Sequence, residues 1–374
     1  MSSHAEPSPQ DPEALAAACA ELHAHGPVPL PQLNPNVWAG KTVVFAGGGT
    51  AGHLMPGLAI LELWKEVLPE PPQVHWIGSP NRIEATLIPE RGIPFHPLDI
   101  TYFRRSLSPQ ATRQNLSVAW RLATGRTFRD AEVILRRVGA ELVISLGSFV
   151  GGPVVVAAHH AAIPSVLMAM DAVIGRGHRW SAPVADAICA STEAGMEQLA
   201  RYKGKIYLTG TPVRPSLFRG DAVAARFEFG ITAKRPTLLV VGGSQGARAI
   251  NNVVPALWQA LNGPEGPGLN ILHQAGEAGA KETVPPAGSG GSYAVRPFIA
   301  NMANAYALAD LVLCRAGANT LAEVAALGKP SILVPFAESA EGHQLANARA
   351  MAEQGMAICV TEDELSAGRL AGVI

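Results

Sequence analysis

Short runs of apolar, often β-branched residues alternate with longer segments of helical periodicity along most of the chain. In the first half, these runs predict seven strands, at 42–46, 74–77, 95–100, 142–145, 165–170, 187–190 and 206–209. The intervening segments predict six helices, at 57–67, 82–90, 109–122, 128–138, 152–160 and 193–201. Strands that are apolar throughout and alternate with helices are typical of a parallel sheet covered on both faces.

The same alternation resumes after GTPVRP at 210–215, which interrupts the pattern. Six strands are predicted, at 237–241, 270–274, 293–297, 311–314, 331–334 and 357–360, with helices at 247–261, 302–308, 318–327 and 344–354. A last helix is predicted to start near Asp363 and to be cut short by the end of the chain.

The pattern therefore predicts an α/β fold with two doubly wound, Rossmann-like domains, at 41–213 and 214–374. Residues 1–40 are interpreted as an N-terminal extension with one short helix at 12–23. Ligands are expected in the crevice at the carboxyl ends of the strands, where the two domains would face a central cleft.

Composition limits the possible functions. A length of 374 residues suits two domains, and 48% hydrophobic residues allow sizeable cores. A net charge of -1 gives no general attraction for nucleic acid, so no nucleic-acid partner is predicted. Four scattered cysteines show neither zinc-like spacing nor a disulfide framework, as expected in a reducing compartment, and three of them are predicted to be buried thiols: Cys189, Cys314 and Cys359. Neither a membrane-spanning stretch nor a secretory signal is expected.

Two glycine-rich turns, at 47–53 and 242–248, each follow a predicted strand and open a helix. Backbone N–H groups in such a turn can approach an anion closely, and the helix N-terminus adds partial positive charge. Two such turns in one chain favour an enzyme that brings a phosphorylated donor in one half to an acceptor in the other.

The first turn also fits the dinucleotide-binding pattern through Gly47, Gly49 and Gly52. That pattern requires an acidic residue at the end of the second strand, to hold a ribose hydroxyl. The strand instead ends in WIGSP at 76–80, and Glu84 follows only in the next predicted helix. Binding of a nicotinamide or flavin cofactor is therefore not favoured.

Several polar residues follow the predicted strands and have two interpretations each. His53 can contact a phosphate, take a proton from a hydroxyl, or only cap the first helix. Glu323 can accept both hydroxyls of a ribose or lie on a solvated helix face. Gln344 and Asn347 share one helical face and suit sugar hydroxyls, although helix capping would explain them equally well.

Several of these residues lie in segments that occur in a recognisable order, namely GGTAGH at 48–53, GSPNRIE at 78–84, GTPVR at 210–214, GGSQGAR at 242–248, Phe298 and Ile299 with Met302, CRAGA at 314–318 with Thr320 and Glu323, and QLAN at 344–347. In these segments the chain resembles, from about 41 to about 360, the N-acetylglucosaminyltransferases of peptidoglycan synthesis. Such enzymes add GlcNAc from UDP-GlcNAc to undecaprenyl-pyrophosphoryl-MurNAc-pentapeptide. The resemblance implies a GT-B fold, an inverting hexosyltransferase reaction, and a peripheral location on the cytoplasmic face of the plasma (inner) membrane.

The resemblance also implies a donor site for UDP-GlcNAc. Ser244 and Gln245 would face the diphosphate, Ile299 would meet the uracil through its backbone, and Glu323 would hold the ribose. Gln344 and Asn347 would meet the GlcNAc hydroxyls. Further donor-binding residues would be Thr50, Ala51, Gly52, Arg214 and Gly243.

His53 would lie across the cleft, as the base for the attacking MurNAc hydroxyl or as a contact of the diphosphate. The chain has no Asp-x-Asp motif, and neither a metal nor another cofactor is predicted. Helix N-termini and the glycine turns would instead stabilise the charge on the departing UDP.

The acceptor half departs from the family pattern. The family's His-Glu-Gln-Asn turn is matched by MAMD at 168–171, and its GGYVSGP loop by GSFVGGP at 147–153. The acceptor-side candidates are Arg104, Phe149 and Asp171. The family's closing C-terminal helix has no counterpart in the pattern. A transferase of the same fold with another acceptor, or a catalytically impaired cell-wall scaffold, therefore remain alternative hypotheses.

A basic segment predicts contact with an anionic membrane surface. Residues 104–137 hold eight arginines and only two acidic residues, with apolar residues such as Leu116 and Trp120 among them. Such a segment is typical of a face that docks on anionic lipid. In the alternative interpretation, the apolar residues face the sheet and the arginines are merely solvated.

Overall fold

The computed structural model describes residues 35–49, 51–100, 116, 124–232, 234–264, 266–286, 291–339 and 342–374. Between Arg214 and Pro215 the chain passes from one compact unit to the other. The helix predicted at 12–23 lies outside the described residues, and so does the helix predicted at 109–122, apart from Leu116.

The unit that ends at Arg214 is built on a seven-stranded parallel sheet. Its strands are β1 (Thr42–Ala46), β2 (Gln73–Gly78), β3 (Phe95–Pro97), β4 (Leu142–Ser145), β5 (Ser165–Ala169), β6 (Ala187–Ala190) and β7 (Ile206–Leu208). Their spatial order is β3-β2-β1-β4-β5-β6-β7, so the order reverses at β1. Open α/β sheets bind ligands at the carboxyl end of such a strand, which here leads into the first glycine turn. The seven predicted strands are confirmed, although β3 stops at Pro97 rather than at residue 100.

Six α-helices are described in this unit: α1 (Ala51–Val67), α2 (Glu84–Leu87), α3 (Arg126–Val138), α4 (Ser148–His160), α5 (Arg176–Ser181) and α6 (Glu193–Gln198). The predicted starts of α1 and α4 were too late, because each helix begins several residues before a proline. Pro56 and Pro153 both lie inside their helices. The predicted helix 82–90 is split into α2 and a 3-10 turn at Pro89–Arg91. The helix predicted at 193–201 ends at Gln198, and α5 was not predicted.

The core of this unit fixes the first glycine turn. Helices α3 and α4 pack on one face of the sheet through Leu135 and Val154, against Val44. On the other face, the rings of Phe45 and Trp76 stack with centroids 5.4 Å apart. The indole nitrogen of Trp76 donates to the carbonyl of Gly47 at 2.9 Å. A large buried ring thus connects the core directly to the turn.

The second unit has a six-stranded parallel sheet. Its strands are β8 (Thr237–Val241), β9 (Asn270–Gln274), β10 (Tyr293–Arg296), β11 (Leu311–Cys314), β12 (Ser331–Leu333) and β13 (Ile358–Cys359). The spatial order β10-β9-β8-β11-β12-β13 reverses at β8, which leads into the second glycine turn. The six predicted strands are confirmed, and the two units repeat one arrangement around β1 and β8.

Seven α-helices of this unit are described: α7 (Ala222–Phe229), α8 (Arg248–Asn262), α9 (Gly276–Glu282), α10 (Met302–Leu308), α11 (Ala318–Ala326), α12 (His343–Glu353) and α13 (Ala367–Val373). Helices α7 and α9 were not predicted. The last helix starts at Ala367 rather than near Asp363, because Ser366 caps it by accepting from the N–H of Arg369 at 3.1 Å. Across the part of the chain that the structure describes, no helix is long and apolar enough to cross a membrane.

Candidate active site

A buried carboxylate binds the backbone of the first glycine turn from the core side. Glu84 is fully buried, and its Oε2 accepts from the N–H of Gly49 at 2.9 Å. Its Oε1 accepts from the N–H of Ser79 at 3.0 Å, directly after β2. A side chain on Gly48 would collide with this carboxylate, so glycine is required there.

This contact removes one N–H group from those that the first turn was expected to offer to an anion, and the role of the other N–H groups of the turn stays a prediction. The N–H of Gly49 is already bonded to the carboxyl group of Glu84. A carboxylate does therefore lie at the end of β2, although no acidic residue stands there in the sequence. It comes from α2, and it holds the turn and the strand end together instead of offering its oxygens to a ribose.

Two of the candidate residues, Phe149 and His53, lie around this turn. The ring of Phe149 covers Gly49, since a Cβ on that glycine would be 3.4 Å from Phe149 Cε1. His53 lies in the first turn of α1, and its ring faces Gly147, whose added Cβ would be 3.5 Å from His53 Cδ2. Of the remaining candidates, Ala51 and Gly52 open α1, whereas Thr50 and Arg104 lie outside the described residues.

His178 in α5 joins this group and was missed by the sequence interpretation. Its Nε2 is 2.8 Å from the carbonyl oxygen of Met168, at the end of β5. Burial lowers the pKa of His178, against the opposing influences of that carbonyl and of Asp171. No motif marks His178 in the sequence. In the sequence, His178 is only a polar residue that follows the MAMD segment at 168–171, in a stretch where no helix was predicted.

The tip of the second glycine turn is exposed, and its other side packs against the end of β9. Gly243 and Gly246 adopt φ values of 95° and 76°, which favour glycine. Ser244 and Gln245 are exposed at the tip of the turn. A side chain on Gly246 would collide with the carbonyl of Ala275, so the turn packs closely against the end of β9.

Gln274 connects this turn to Ile299, and its role was not predicted. Its Nε2 donates to the carbonyl of Gly243 at 3.0 Å, and its Oε1 accepts from the N–H of Ile299 at 2.8 Å. Gln274 is 4% exposed. Because the N–H of Ile299 is bonded to Gln274, a base that binds at the Ile299 backbone would have to use the carbonyl oxygen.

Glu323 is oriented by a tyrosine. The hydroxyl of Tyr306 in α10 donates to Oε2 of Glu323 at 2.8 Å. Tyr306 is 1% exposed, whereas Glu323 is half-buried. The charge of Glu323 adds to burial in raising the pKa of the Cys314 thiol to about 12, so this carboxylate lies close to the end of β11.

The two amides of α12 contact neighbouring loops. Oε1 of Gln344 accepts from the N–H of Phe336 at 3.0 Å, and Nδ2 of Asn347 donates to the carbonyl of Ala316 at 3.2 Å. Asn347 is 5% exposed. These contacts give both amides a structural role. That the same amides also bind sugar hydroxyls stays a prediction.

Arg315 braces the loops after β11 and β12. Its guanidinium forms an ion pair with Glu362 at 2.6 Å, donates to the carbonyl of Val334 at 3.1 Å, and lies over the ring of Phe336 at 5.3 Å. Within the described ranges, no three His, Cys, Asp or Glu side chains come together as a metal site would require.

Comparison with known proteins identifies the family. Residues 43–190 match the model of the glycosyltransferase family 28 N-terminal domain, and residues 237–374 match that of its C-terminal domain. The chain belongs to this glycosyltransferase family. This match and the two parallel sheets confirm the predicted fold class, GT-B, and the hexosyltransferase class.

Relatives of family 28 narrow the comparison further. The chain is 36% identical over 340 residues to the UDP-N-acetylglucosamine--N-acetylmuramyl-(pentapeptide) pyrophosphoryl-undecaprenol N-acetylglucosamine transferase of Desulforudis audaxviator, with 88% of each chain covered. It is 34% identical to the enzyme of the same name from Desulforamulus reducens, with 87% of each covered. The crystal structure of MurG from Acinetobacter baumannii superposes with a TM-score of 0.65 at 27% identity and covers 89% of each chain. The family resemblance predicted from the sequence is thus confirmed.

Proposed function

We propose that this family 28 enzyme transfers GlcNAc from UDP-GlcNAc to the 4-hydroxyl of MurNAc in undecaprenyl-pyrophosphoryl-MurNAc-pentapeptide, with inversion at the sugar carbon. The observation that carries the proposal is the match, over 87–88% of both chains, to transferases named for this reaction. The reaction forms the lipid-linked disaccharide used in peptidoglycan synthesis.

The donor is proposed to bind at the carboxyl ends of β8 and β11. Glu323, fixed by Tyr306, would accept from the ribose hydroxyls. The carbonyl of Ile299 would accept from the N–H of the uracil, since its own N–H is bonded to Gln274. The exposed Ser244 and Gln245 would meet the diphosphate at the second glycine turn. Further donor contacts are proposed for Arg214, Gly243, Gln344 and Asn347.

At the acceptor side, two roles remain proposed for His53. As a base, it would take the proton of the MurNAc hydroxyl while the new glycosidic bond forms and the bond to the UDP oxygen breaks. As a phosphate contact, it would stabilise the negative charge that develops on the departing UDP. Its position in the first turn of α1, beside Gly147, supports a role at this edge of the sheet.

The described part of the basic segment supports a peripheral position on the cytoplasmic face of the membrane. Helix α3 buries Thr127, Ala131 and Leu135, as an ordinary sheet-packing helix does. The outer face of α3 also exposes Val133. Trp180 of α5 is 52% exposed, and its ring packs on the ring of Phe128 in α3. Four arginines of α3 are exposed: Arg126, Arg129, Arg136 and Arg137. Exposed cations around apolar side chains suit an anionic lipid surface.

A second candidate is a transferase of the same fold with a different acceptor. It is favoured by the segment at the end of β5, where Met168 and Met170 are 5% and 7% exposed in place of the family's polar side chains. Parallel assays with a short-chain lipid I analogue and with other hydroxyl acceptors test the two candidates. Labelled disaccharide-lipid from radiolabelled UDP-GlcNAc supports the first candidate, and product only with another acceptor supports the second.

A further inference from the structure

The imidazole of His178 is held in a defined tautomer. Its Nε2 is 2.8 Å from the carbonyl oxygen of Met168, and a carbonyl oxygen can only accept a hydrogen bond. Nε2 must therefore carry the proton. In the neutral ring, this leaves the lone pair of Nδ1 as a hydrogen-bond acceptor.

The ring of His178 shares a small space with the ring of His53. A Cβ added to Gly147 would lie 2.7 Å from His178 Cε1 and 3.5 Å from His53 Cδ2. Gly147 adopts a φ of 85° and lies in the short link between β4 and α4. Two imidazoles thus flank a residue without a side chain, at the carboxyl edge of the sheet that α1 also faces.

The surroundings keep His178 neutral near pH 7. Burial lowers its pKa, while Asp171 from the turn after β5 and the Met168 carbonyl act in the opposite direction. On its own helix, Arg179 donates to Gln198 at 3.2 Å, and His53 faces the ring across Gly147. A half-buried neutral imidazole can accept a hydrogen bond from a hydroxyl group.

We propose that His178 is an acceptor-binding residue: its Nδ1 accepts a hydrogen bond from a hydroxyl of the acceptor sugar and so positions that sugar beside His53. The inference rests on the proposed function. It also supplies an acceptor-side polar group in the region where Met168 and Met170 have replaced polar side chains.

Two substitutions separate this role from a structural one. His178→Asn keeps an acceptor atom near the position of Nδ1 but loses the bond to Met168. His178→Gln can still donate to Met168 but has no acceptor at that position. Loss of one substrate hydrogen bond corresponds to about a tenfold weaker interaction. We expect His178→Ala and His178→Gln to raise the acceptor KM about tenfold, and His178→Asn to stay within about threefold of wild type.

The experiment measures binding of a fluorescent short-chain lipid I analogue as well as turnover, with the exposed His160→Ala as the matched control. The KM for UDP-GlcNAc should be unchanged in all variants, which also shows that they are folded. The wild-type acceptor KM should rise on acidification as Nδ1 becomes protonated, at a pH lower than for an ordinary histidine because burial lowers the pKa of His178. This rise should be absent from His178→Asn.

The possible failures are distinguishable. Equal acceptor binding by wild type and His178→Ala would overturn the role of His178 while leaving the proposed function intact. Better binding by His178→Gln than by His178→Asn would show that the ring only braces Met168, and would also overturn it. If the wild-type protein binds no lipid I analogue at all, the proposed function fails, and the assigned role of His178 fails with it.

Discussion

The hydroxyl of Tyr306 donates to the carboxylate of Glu323 at 2.8 Å, which joins the core helix α10 to the helix that follows β11. Tyr306 is 1% exposed, so its ring cannot easily move, and the tyrosine fixes one oxygen of a half-buried carboxylate. A side chain held in this way loses little conformational entropy when a ligand binds. The pair therefore fits a preorganised ribose contact.

Removal of that hydroxyl should weaken donor binding selectively. We expect Tyr306→Phe to raise the Kd for UDP-GlcNAc about threefold to tenfold, as for one lost hydrogen bond, and Glu323→Ala to raise it further. Isothermal titration with UDP-GlcNAc measures both values. An unchanged Kd for Glu323→Ala would contradict the assignment of Glu323 to the donor.

Glu84 should be essential to the stability of the first unit. Glu84→Ala leaves the N–H groups of Gly49 and Ser79 without their carboxylate, at a cost of about 3 kcal/mol in the free energy of unfolding. The exposed Glu90→Ala should change that free energy by less than about 0.5 kcal/mol. Urea denaturation compares the two variants, and similar losses would show that Glu84 does not brace the turn.

Stability should fall on mild acidification through His273. Burial lowers its pKa from 6.5 to about 4 in the folded protein, while its nitrogens face Asn251 and Tyr293. Between pH 6.5 and about pH 4, only the unfolded state takes up the proton of His273. The contribution of His273 to the free energy of unfolding is therefore constant above pH 6.5 and falls below it, by up to about 1.4 kcal/mol per pH unit.

Urea denaturation at pH 7.5, 6.0 and 5.0 checks this effect, with His273→Gln as the comparison. The wild type should lose about 2 kcal/mol more than the variant between pH 7.5 and pH 5.0. Parallel pH dependences in the two proteins would show that His273 titrates normally in the folded state.

Charge removal from α3 should weaken membrane binding. We expect the double variant Arg126→Gln, Arg129→Gln to bind anionic vesicles about tenfold or more weakly, since each basic side chain contributes about 1 kcal/mol near the surface. Exposed arginines outside this face, Arg201 and Arg349, give a control with the same change in charge. Co-sedimentation with vesicles measures both, and an equal loss in the control would indicate a nonspecific charge effect.

The sheets were predictable because their strands are continuous apolar runs that end at glycine or polar residues, as in β1 and β8. Helices α7 and α9 were not predicted. Helix α9 is short and begins at Gly276, and α7 is separated from the break at 210–215 only by a 3-10 turn at Pro215–Arg219. Helices α1 and α4 begin earlier than predicted, and Pro56 and Pro153 lie beyond the first turn of these helices, where proline is normally disfavoured.

The candidate site was predictable only where short segments carry it. Glu84 acts on Gly49 at a separation of 35 residues, and Gln274 acts on Ile299 at a separation of 25. No periodicity signals such pairs, because strand order alone brings them together. His178 is harder still, since its neighbours Met168 and Gly147 carry no polar side chain that would suggest a site.

The most direct test of the proposed reaction is transfer of radiolabelled GlcNAc from UDP-GlcNAc to a short-chain lipid I analogue, by wild type and by His53→Ala. We expect labelled disaccharide-lipid from the wild type, loss of at least about a hundredfold in kcat for His53→Ala, and nearly unchanged UDP-GlcNAc affinity if His53 is the base. Weakened donor binding in the variant would assign His53 to the diphosphate instead. Absence of product from a wild-type protein that binds UDP-GlcNAc would contradict the proposed function.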